Sequence, residues 1–295
     1  MEYLMSNNTL FIGLGVMGYH MASHLSKEVP TSIYNRSPDK ADAWLRDFNG
    51  THQNTLTTSL KNFDFIITCI GNDHDLRDIY LSDNGLLNQC TAGTILIDHT
   101  TASAGIAREI AEKALKKDLY FIDAPVSGGE QGAINGQLTI MCGGEDNAFN
   151  QAKPIMSHYA KAVTLLGQNG AGQLTKMANQ LAVAGVVQGL AEAIHFAEQA
   201  GLDCHQVIDV ISKGAAQSWQ MENRSNTMIK GEYDHGFAVD LMRKDLDICL
   251  SEGRKIGAKL PVTALIDQFY ADVQGMGGSR WDTSSLLERL RSKTN

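Results

Sequence analysis

The sequence has no block of five or six like charges, no apolar run long enough to cross a bilayer, no CxxC pair and only five prolines in 295 residues. Each absence excludes something. With 25 Lys and Arg against 33 Asp and Glu, and a net charge of −8, neither nucleic acid nor an anionic membrane is an expected partner. A spanning helix needs roughly 20 consecutive apolar residues, and the longest candidate, residues 181–190, is broken by Gly185, Gln188 and Gly189. Residues 1–8 carry no cationic segment, and the apolar stretch after them is punctuated by glycine. No export signal is therefore expected, and a cytoplasmic location is. The five cysteines, at 69, 90, 142, 204 and 249, are odd in number and mostly sit in apolar runs such as 66–70. They read as buried thiols in a reducing compartment. The distant histidines, such as His195, His205 and His235, lack the HxxxH spacing of a metal site, and no metal is expected.

What is present is enough apolar material, 43% of residues, for about two compact cores. Up to about residue 166, short runs rich in Val, Ile and Phe alternate with segments of helical period. This alternation is the mark of βαβ units. Strands are predicted at 9–14, 31–35, 64–70, 94–98, 120–124, 138–142 and 162–166. Linked through helices, they form a mostly parallel sheet covered on both faces, with 138–142 given an antiparallel place near its edge. Beyond 166 the pattern is helical: a long helix at 170–200, apolar around most of its circumference, then 203–213, 237–256, 261–274 and a last short helix after a glycine-rich loop at 275–280. The expected fold is therefore α/β: a Rossmann-type doubly wound domain over 1–168, then an all-α domain over 169–295, joined by the long helix. An apolar helix of that length needs other helices or a second subunit against it, so a homodimer or homotetramer is expected.

The first strand runs into Gly13-Leu14-Gly15-Val16-Met17-Gly18, a GxGxxG between a predicted strand and a predicted helix at 19–26. In that setting the first glycine permits the turn, the second lets backbone approach a pyrophosphate, and the third lets helix pack on strand, with the helix N-terminus aimed at the anion. A dinucleotide is the expected cofactor. The second predicted strand ends in Asn35-Arg36-Ser37, without the carboxylate that would hold the ribose hydroxyls of NAD. Arg36 can pair with a 2′-phosphate, and Asn35 and Ser37 can donate hydrogen bonds, so NADP(H) is preferred with NAD(H) possible. The alternative is that Arg36 lies in solvent beside the Ser37-Pro38-Asp39 turn.

A second glycine turn, Ser127-Gly128-Gly129, follows the strand at 120–124. It either offers backbone N–H groups and the Ser127 hydroxyl to a small carboxylate or is simply structural. Lys176 opens the long helix with Asn179 and Gln180 on the same face, at the join between the two textures, where small-ligand sites concentrate.

Taken in order, four motifs resemble the β-hydroxyacid dehydrogenase family, which includes the 3-hydroxyisobutyrate dehydrogenases and tartronate semialdehyde reductases. They are Phe11 to Gly18 with Met21-Ala22; Asp123 to Gly129 with Gly132, Gly136 and Gly143-Gly144; Gly167 to Asn179; and Lys244-Asp245-Leu246. The resemblance covers essentially the whole chain. It implies cofactor binding by Gly13, Leu14, Gly15, Val16, Met17 and Gly18, and substrate-carboxylate binding by Ser127, Gly128 and Gly129. It further implies catalysis by Lys176, a nicotinamide-side threonine at Thr101, a cofactor-contacting Lys244, and a small 3-hydroxy acid or acid semialdehyde as substrate. Where the family often has Asn four residues after its lysine, this chain has Gln180, with Asn179 one earlier. Either can face substrate. The segment 69–75 resembles a loop that some members place beside the cofactor. Residues 214–226, with Trp219 and Gln220, are read either as the far wall of the pocket or as a capping loop with a core tryptophan. Two alternatives are a non-catalytic NADPH-binding module, which would need neither Lys176 nor the second glycine turn, and an imine-reducing relative, a group that commonly lacks this lysine.

Overall fold

The computed structural model describes residues 7–292. Most of the segment on which the export expectation rests, residues 1–6, lies outside them. In chain order the first elements are β1 (Thr9–Ile12), α1 (Val16–Leu25), β2 (Thr31–Tyr34), α2 (Pro38–Asp47), β3 (Thr51–His52), β4 (Phe65–Thr68), α3 (Asp73–Leu81), α4 (Leu86–Gln89), β5 (Ile95–Asp98), α5 (Ala104–Leu115) and β6 (Tyr120–Asp123). Their six strands form one parallel sheet in the order β3-β2-β1-β4-β5-β6. The order reverses between β1 and β4, which opens a crevice at the carboxyl ends of those strands. Both faces of the sheet are covered, as its uninterrupted apolar strands require. Phe11, Ile33, Phe65, Ile67, Ile95, Ile97 and Ile122 enter one core, while their alternating neighbours Leu10, Ile12, Ile66, Leu96 and Phe121 enter the other.

The chain then forms β7 (Val126–Ser127), α6 (Gly129–Ile134), β8 (Leu138–Cys142), α7 (Asp146–Ser157) and β9 (Ala160–Leu165). This corrects the single-sheet expectation. β8 is the centre of a separate three-stranded sheet, antiparallel to β7 and parallel to β9. An isolated antiparallel bridge from Asp123 to Gly143 links it to the end of β6.

The chain divides into two compact units, meeting between Lys176 and Met177, inside the 29-residue α8 (Ala171–Gln199). By length and composition alone α8 would suffice to cross a bilayer. Its Ala184, Val187, Ala191 and Ile194, however, recur at helical spacing in the core of the second unit. The other helices there are α9 (Cys204–Ile211), α10 (Trp219–Lys230), α11 (Val239–Ile256), α12 (Pro261–Gly275) and, after a 3₁₀ turn at Thr283–Ser285, α13 (Leu286–Arg291). They supply Met221, Met228, Met242, Leu246, Ile266, Tyr270 and Leu286 to the same core. Residues 219–226, read from sequence as part of a pocket wall or capping loop, fall in α10. Trp219 opens that helix 46% exposed, so it is not a core tryptophan. All five cysteines are in the reduced thiol form, and burial pushes Cys90 and Cys142 up to about 12.

Candidate active site

The three glycines of the first turn are required for three different reasons. Gly13 has φ +100, and a side chain there would overlap the Cys69 carbonyl oxygen at the end of β4. Only glycine lets the ends of β1 and β4 come this close. At Gly18 a methyl would overlap the Gly13 carbonyl oxygen, so that glycine lets α1 sit on the turn. Gly15 is different. Its φ of −73 and ψ of −171 suit any residue, and nothing lies within 4 Å of where its Cβ would be. Neither strain nor packing explains this glycine. What remains is the open space beside the first turn of α1, a helix whose N-terminus no side chain caps. Its unpartnered N–H groups and positive dipole end suit a phosphate group. The residues between the glycines divide their tasks: Leu14 is buried and Met17 packs on the core, whereas Val16 is 54% exposed.

At the end of β2, Asn35 does something the sequence did not suggest. Its Oδ1 accepts the Leu14 N–H at 2.8 Å, and its Nδ2 donates to the Ser37 carbonyl at 3.0 Å. The amide thus braces the glycine turn. Ser37 is the N-cap residue of α2, without a side-chain cap bond. The Arg36 side chain, next to the Ser37-Pro38-Asp39 turn in sequence, stands in solvent, 90% exposed. Its guanidinium reaches 3.8 Å from the Asp75 carboxylate in the first turn of α3. So exposed a pair contributes little stability, which leaves the guanidinium available to an anion.

The carboxyl ends of β5 and β6 carry a buried polar network. Asp98 accepts the Thr68 hydroxyl at 2.7 Å and the Thr100 N–H at 3.1 Å. His99 is buried and faces the Ala124 carbonyl at 2.6 Å through Nδ1 and the Tyr159 hydroxyl at 2.8 Å through Nε2. A carbonyl can only accept, so the proton sits on Nδ1 and Nε2 accepts from Tyr159. Burial lowers the imidazole to about 4, which keeps it neutral. Asp123, at the end of β6, accepts the Gly170 N–H at 2.7 Å and the Gln173 N–H at 3.0 Å. It thereby caps the start of α8, although burial raises its carboxyl to about 7. The Gln173 side chain turns back to the loop after β5, accepting the Ala102 N–H at 3.0 Å and donating to the Thr100 carbonyl at 2.7 Å. Thr101 is the residue between those two peptide groups. One helical turn beyond Gln173 stands Lys176, 8% exposed. A lysine is almost never this buried, so its burial sets it apart. The loop is also tied to the end of β4, with Ile70 N–H donating to Thr100 Oγ1 at 3.0 Å and Ser103 N–H to Asp73 at 2.8 Å.

The second glycine turn is not the direct strand-to-helix turn expected. β7 intervenes, and Ser127 pairs in register with Thr139 of β8. Gly128 and Gly129 follow with φ +131 and +63. In the second unit, Asn179 Nδ2 donates to Gln180 Oε1 at 2.8 Å, and Gln180 Nε2 donates to Asp245 at 2.7 Å. Lys244 lies 3.3 Å from the same carboxylate. Asn179 and Gln180 are therefore hydrogen-bonded to one another. Asp123, Gln173 and Asp245 were not assigned roles from sequence. The hydrogen bonds from Gly170 to Asp123, from Ala102 to Gln173 and from Gln180 to Asp245 each span dozens of residues, beyond any local pattern.

Residues 8–167 match the family described as the NAD binding domain of 6-phosphogluconate dehydrogenase. Residues 170–290 match the one described as NAD-binding of NADP-dependent 3-hydroxyisobutyrate dehydrogenase. An uncharacterized oxidoreductase of Shewanella frigidimarina is 56% identical over 95% of this chain and 97% of its own length. The 2-hydroxy-3-oxopropionate reductase of Escherichia coli is 31% identical over 97% of each chain. Among solved structures, the 3-hydroxyisobutyrate dehydrogenase of Mycobacterium tuberculosis with L-serine superposes with a TM-score of 0.87 at 26% identity, covering 97% of this chain and 99% of that one.

Proposed function

This chain belongs to the β-hydroxyacid dehydrogenase family of NAD(P)-dependent oxidoreductases, and from that premise we propose that it interconverts a short acid semialdehyde and the matching hydroxy acid, preferring NADP(H), with Lys176 as the proton donor and acceptor. The observation that carries this reading is the buried Lys176 one helical turn from Gln173, whose amide flanks Thr101. When bound, the nicotinamide cofactor would supply a hydride to the carbonyl carbon in reduction and, in its oxidised form, would accept one from the alcohol carbon in oxidation.

The chain's own residues do the rest. In reduction, the Lys176 ammonium donates a hydrogen bond to the substrate carbonyl oxygen, stabilises the negative charge that grows there and gives up a proton to it. In oxidation the neutral amine takes that proton back. Ser127 with the N–H groups of Gly128 and Gly129 holds the substrate carboxylate. Asn179 and Gln180 orient the substrate as a pair, with Asp245 fixing the Gln180 amide. The uncapped start of α1 holds the pyrophosphate, Arg36 meets the 2′-phosphate, and Lys244 contacts the cofactor. The substrate in this reading is a short acid of roughly two to four carbons. The exposed Val186 and Phe196 on α8 support a homo-oligomer, which light scattering tests.

The deciding experiment is Lys176→Ala. NADPH affinity is expected to stay at the parent value while turnover is largely lost. Full turnover in a folded Lys176→Ala protein would remove the lysine from the mechanism.

A further inference from the structure

Two groups assigned above to the reaction, Thr101 and Lys176, stand on different pieces of chain. Thr101 lies in the loop between β5 and α5, and Lys176 in the first turns of α8. One side chain joins them. Gln173 is 1% exposed. Its amide pairs with the loop as a neighbouring strand would, accepting the N–H of Ala102 at 3.0 Å and donating to the carbonyl of Thr100 at 2.7 Å. Those are the peptide groups on either side of Thr101, so both its φ and its ψ are held from one point. Gln173 is fixed at its other end too, because its backbone N–H donates to Asp123 Oδ2 at 3.0 Å. Lys176 follows three residues on, where a helix returns to the same face about 4.5 Å along its axis.

We propose that Gln173 is a positioning residue that sets the place of Thr101, and with it the nicotinamide side of the cofactor, relative to Lys176. The inference rests on the reading of those two residues given above. It goes beyond that reading by assigning the alignment to a residue that touches neither cofactor nor substrate. A glutamine needed only to anchor the start of α8 would not require this arrangement. Asp123 already accepts the Gly170 and Gln173 N–H groups, and the side-chain amide adds nothing to the helix itself. What it adds is a fixed spacing between loop and helix, and a small misplacement of reacting groups is enough to cost about a hundredfold in rate.

The test uses two variants beside Lys176→Ala in the full chain. Gln173→Met keeps the length and removes both hydrogen bonds. With NADPH bound and substrate saturating, its kcat is expected to fall about 10- to 100-fold. The Kd for NADPH stays within about threefold, because the glycine turn and Arg36, which carry the charge-assisted contacts, are untouched. The primary deuterium isotope effect on kcat with 4-deuterated NADPH rises, since hydride transfer becomes the slow step. Gln173→Glu supplies a readout that a purely structural role would not move. As a carboxylate it keeps the acceptor for Ala102 N–H but sets an oxygen against the Thr100 carbonyl. Once protonated, its O–H replaces the lost donor. The kcat of Gln173→Glu relative to the parent enzyme is therefore expected to climb as pH is lowered. Parent-like kcat in a folded Gln173→Met protein, or a ratio for Gln173→Glu that stays flat with pH, overturns the proposal. If Lys176→Ala itself turns over normally, the catalytic reading fails and this inference with it. If Lys176→Ala is inactive while the Gln173 variants are not, this inference alone fails.

Discussion

Gly15→Ala and Gly18→Ala are the same chemical change, three residues apart, and should have opposite consequences. At Gly18 the added methyl overlaps the carbonyl oxygen of Gly13, which is backbone and cannot rotate away. Overpacking of this kind costs about 1–3 kcal/mol. In a unit of this size that corresponds to a melting temperature lower by roughly 3 to 10 °C. At Gly15 the backbone already has φ −73 and nothing lies within 4 Å of the new methyl. Two small terms oppose each other there: alanine reduces the freedom of the unfolded chain by about 0.4–1 kcal/mol, and it is the poorer N-cap by a similar amount. Stability should therefore hold within about 1 kcal/mol. The Gly15 methyl does occupy the space beside the first turn of α1, where backbone N–H groups would meet the pyrophosphate. Losing one such charge-assisted bond, at about 1.5–3 kcal/mol, weakens cofactor binding by about 10- to 100-fold. Thermal melts without ligand and fluorescence titration with NADPH measure the two effects separately. A Gly15→Ala protein that binds NADPH as tightly as the parent would refute the assignment of that space to the cofactor. A Gly18→Ala protein of unchanged stability would refute the packing argument.

Arg36→Gln is expected to weaken NADPH about tenfold, the loss of one charge-assisted pair, while leaving NADH almost unchanged. Equal losses for both cofactors would show that Arg36 does not read the 2′-phosphate. His99 contributes to the pH dependence of stability with a definite sign. Its imidazole is lowered from 6.5 to about 4, so below the usual value the unfolded chain takes up a proton that the folded chain does not. The stabilisation is complete above pH 6.5 and is lost as pH falls toward 4, a loss on the order of 2–3 kcal/mol by about pH 4.5. Urea midpoints at neutral pH and at about pH 4.5 should therefore diverge more in the parent protein than in His99→Gln. Equal divergence would mean that His99 is not buried neutral. Tyr159→Phe strips the donor from His99 Nε2 and should cost about 1–3 kcal/mol by leaving that nitrogen unpaired. A denaturant midpoint equal to the parent's would contradict the network.

The parts of this fold that could be read from sequence are those whose physics is local. Strands buried on both faces are continuous apolar runs, and β1, β2, β4, β5 and β6 each fall inside the predicted segments. The glycine turn was legible because tight turning, close packing and anion approach all demand the same residue at fixed spacing. β3 and β7 were not legible, since two residues carry no periodicity. Without β7 nothing indicated that β8 belongs to a separate sheet. α10 was missed as a helix because only Met221, Ser225 and Met228 are buried in an otherwise polar segment. In the site, Lys176 stood out by its setting, but the residues that hold the site in place did not. Gln173 meets Thr100 and Ala102 more than seventy residues away in sequence, and Gln180 meets Asp245 across a comparable gap. The bracing part played by Asn35, whose amide bonds the backbone of Leu14 and Ser37, likewise has no local signature.

The central claim, a lysine-assisted hydride transfer to a short acid semialdehyde, is tested most directly by following the reduced nicotinamide absorbance of the purified protein. NADPH and NADH would each be tried with glyoxylate, succinic semialdehyde, methylmalonate semialdehyde and tartronate semialdehyde, with Lys176→Ala in parallel. The account predicts oxidation of NADPH, faster than NADH, with at least one of these acids, and loss of that activity in Lys176→Ala despite unchanged NADPH binding. Tight NADPH binding with no turnover on any of the four, or equal turnover with and without the lysine, would contradict it.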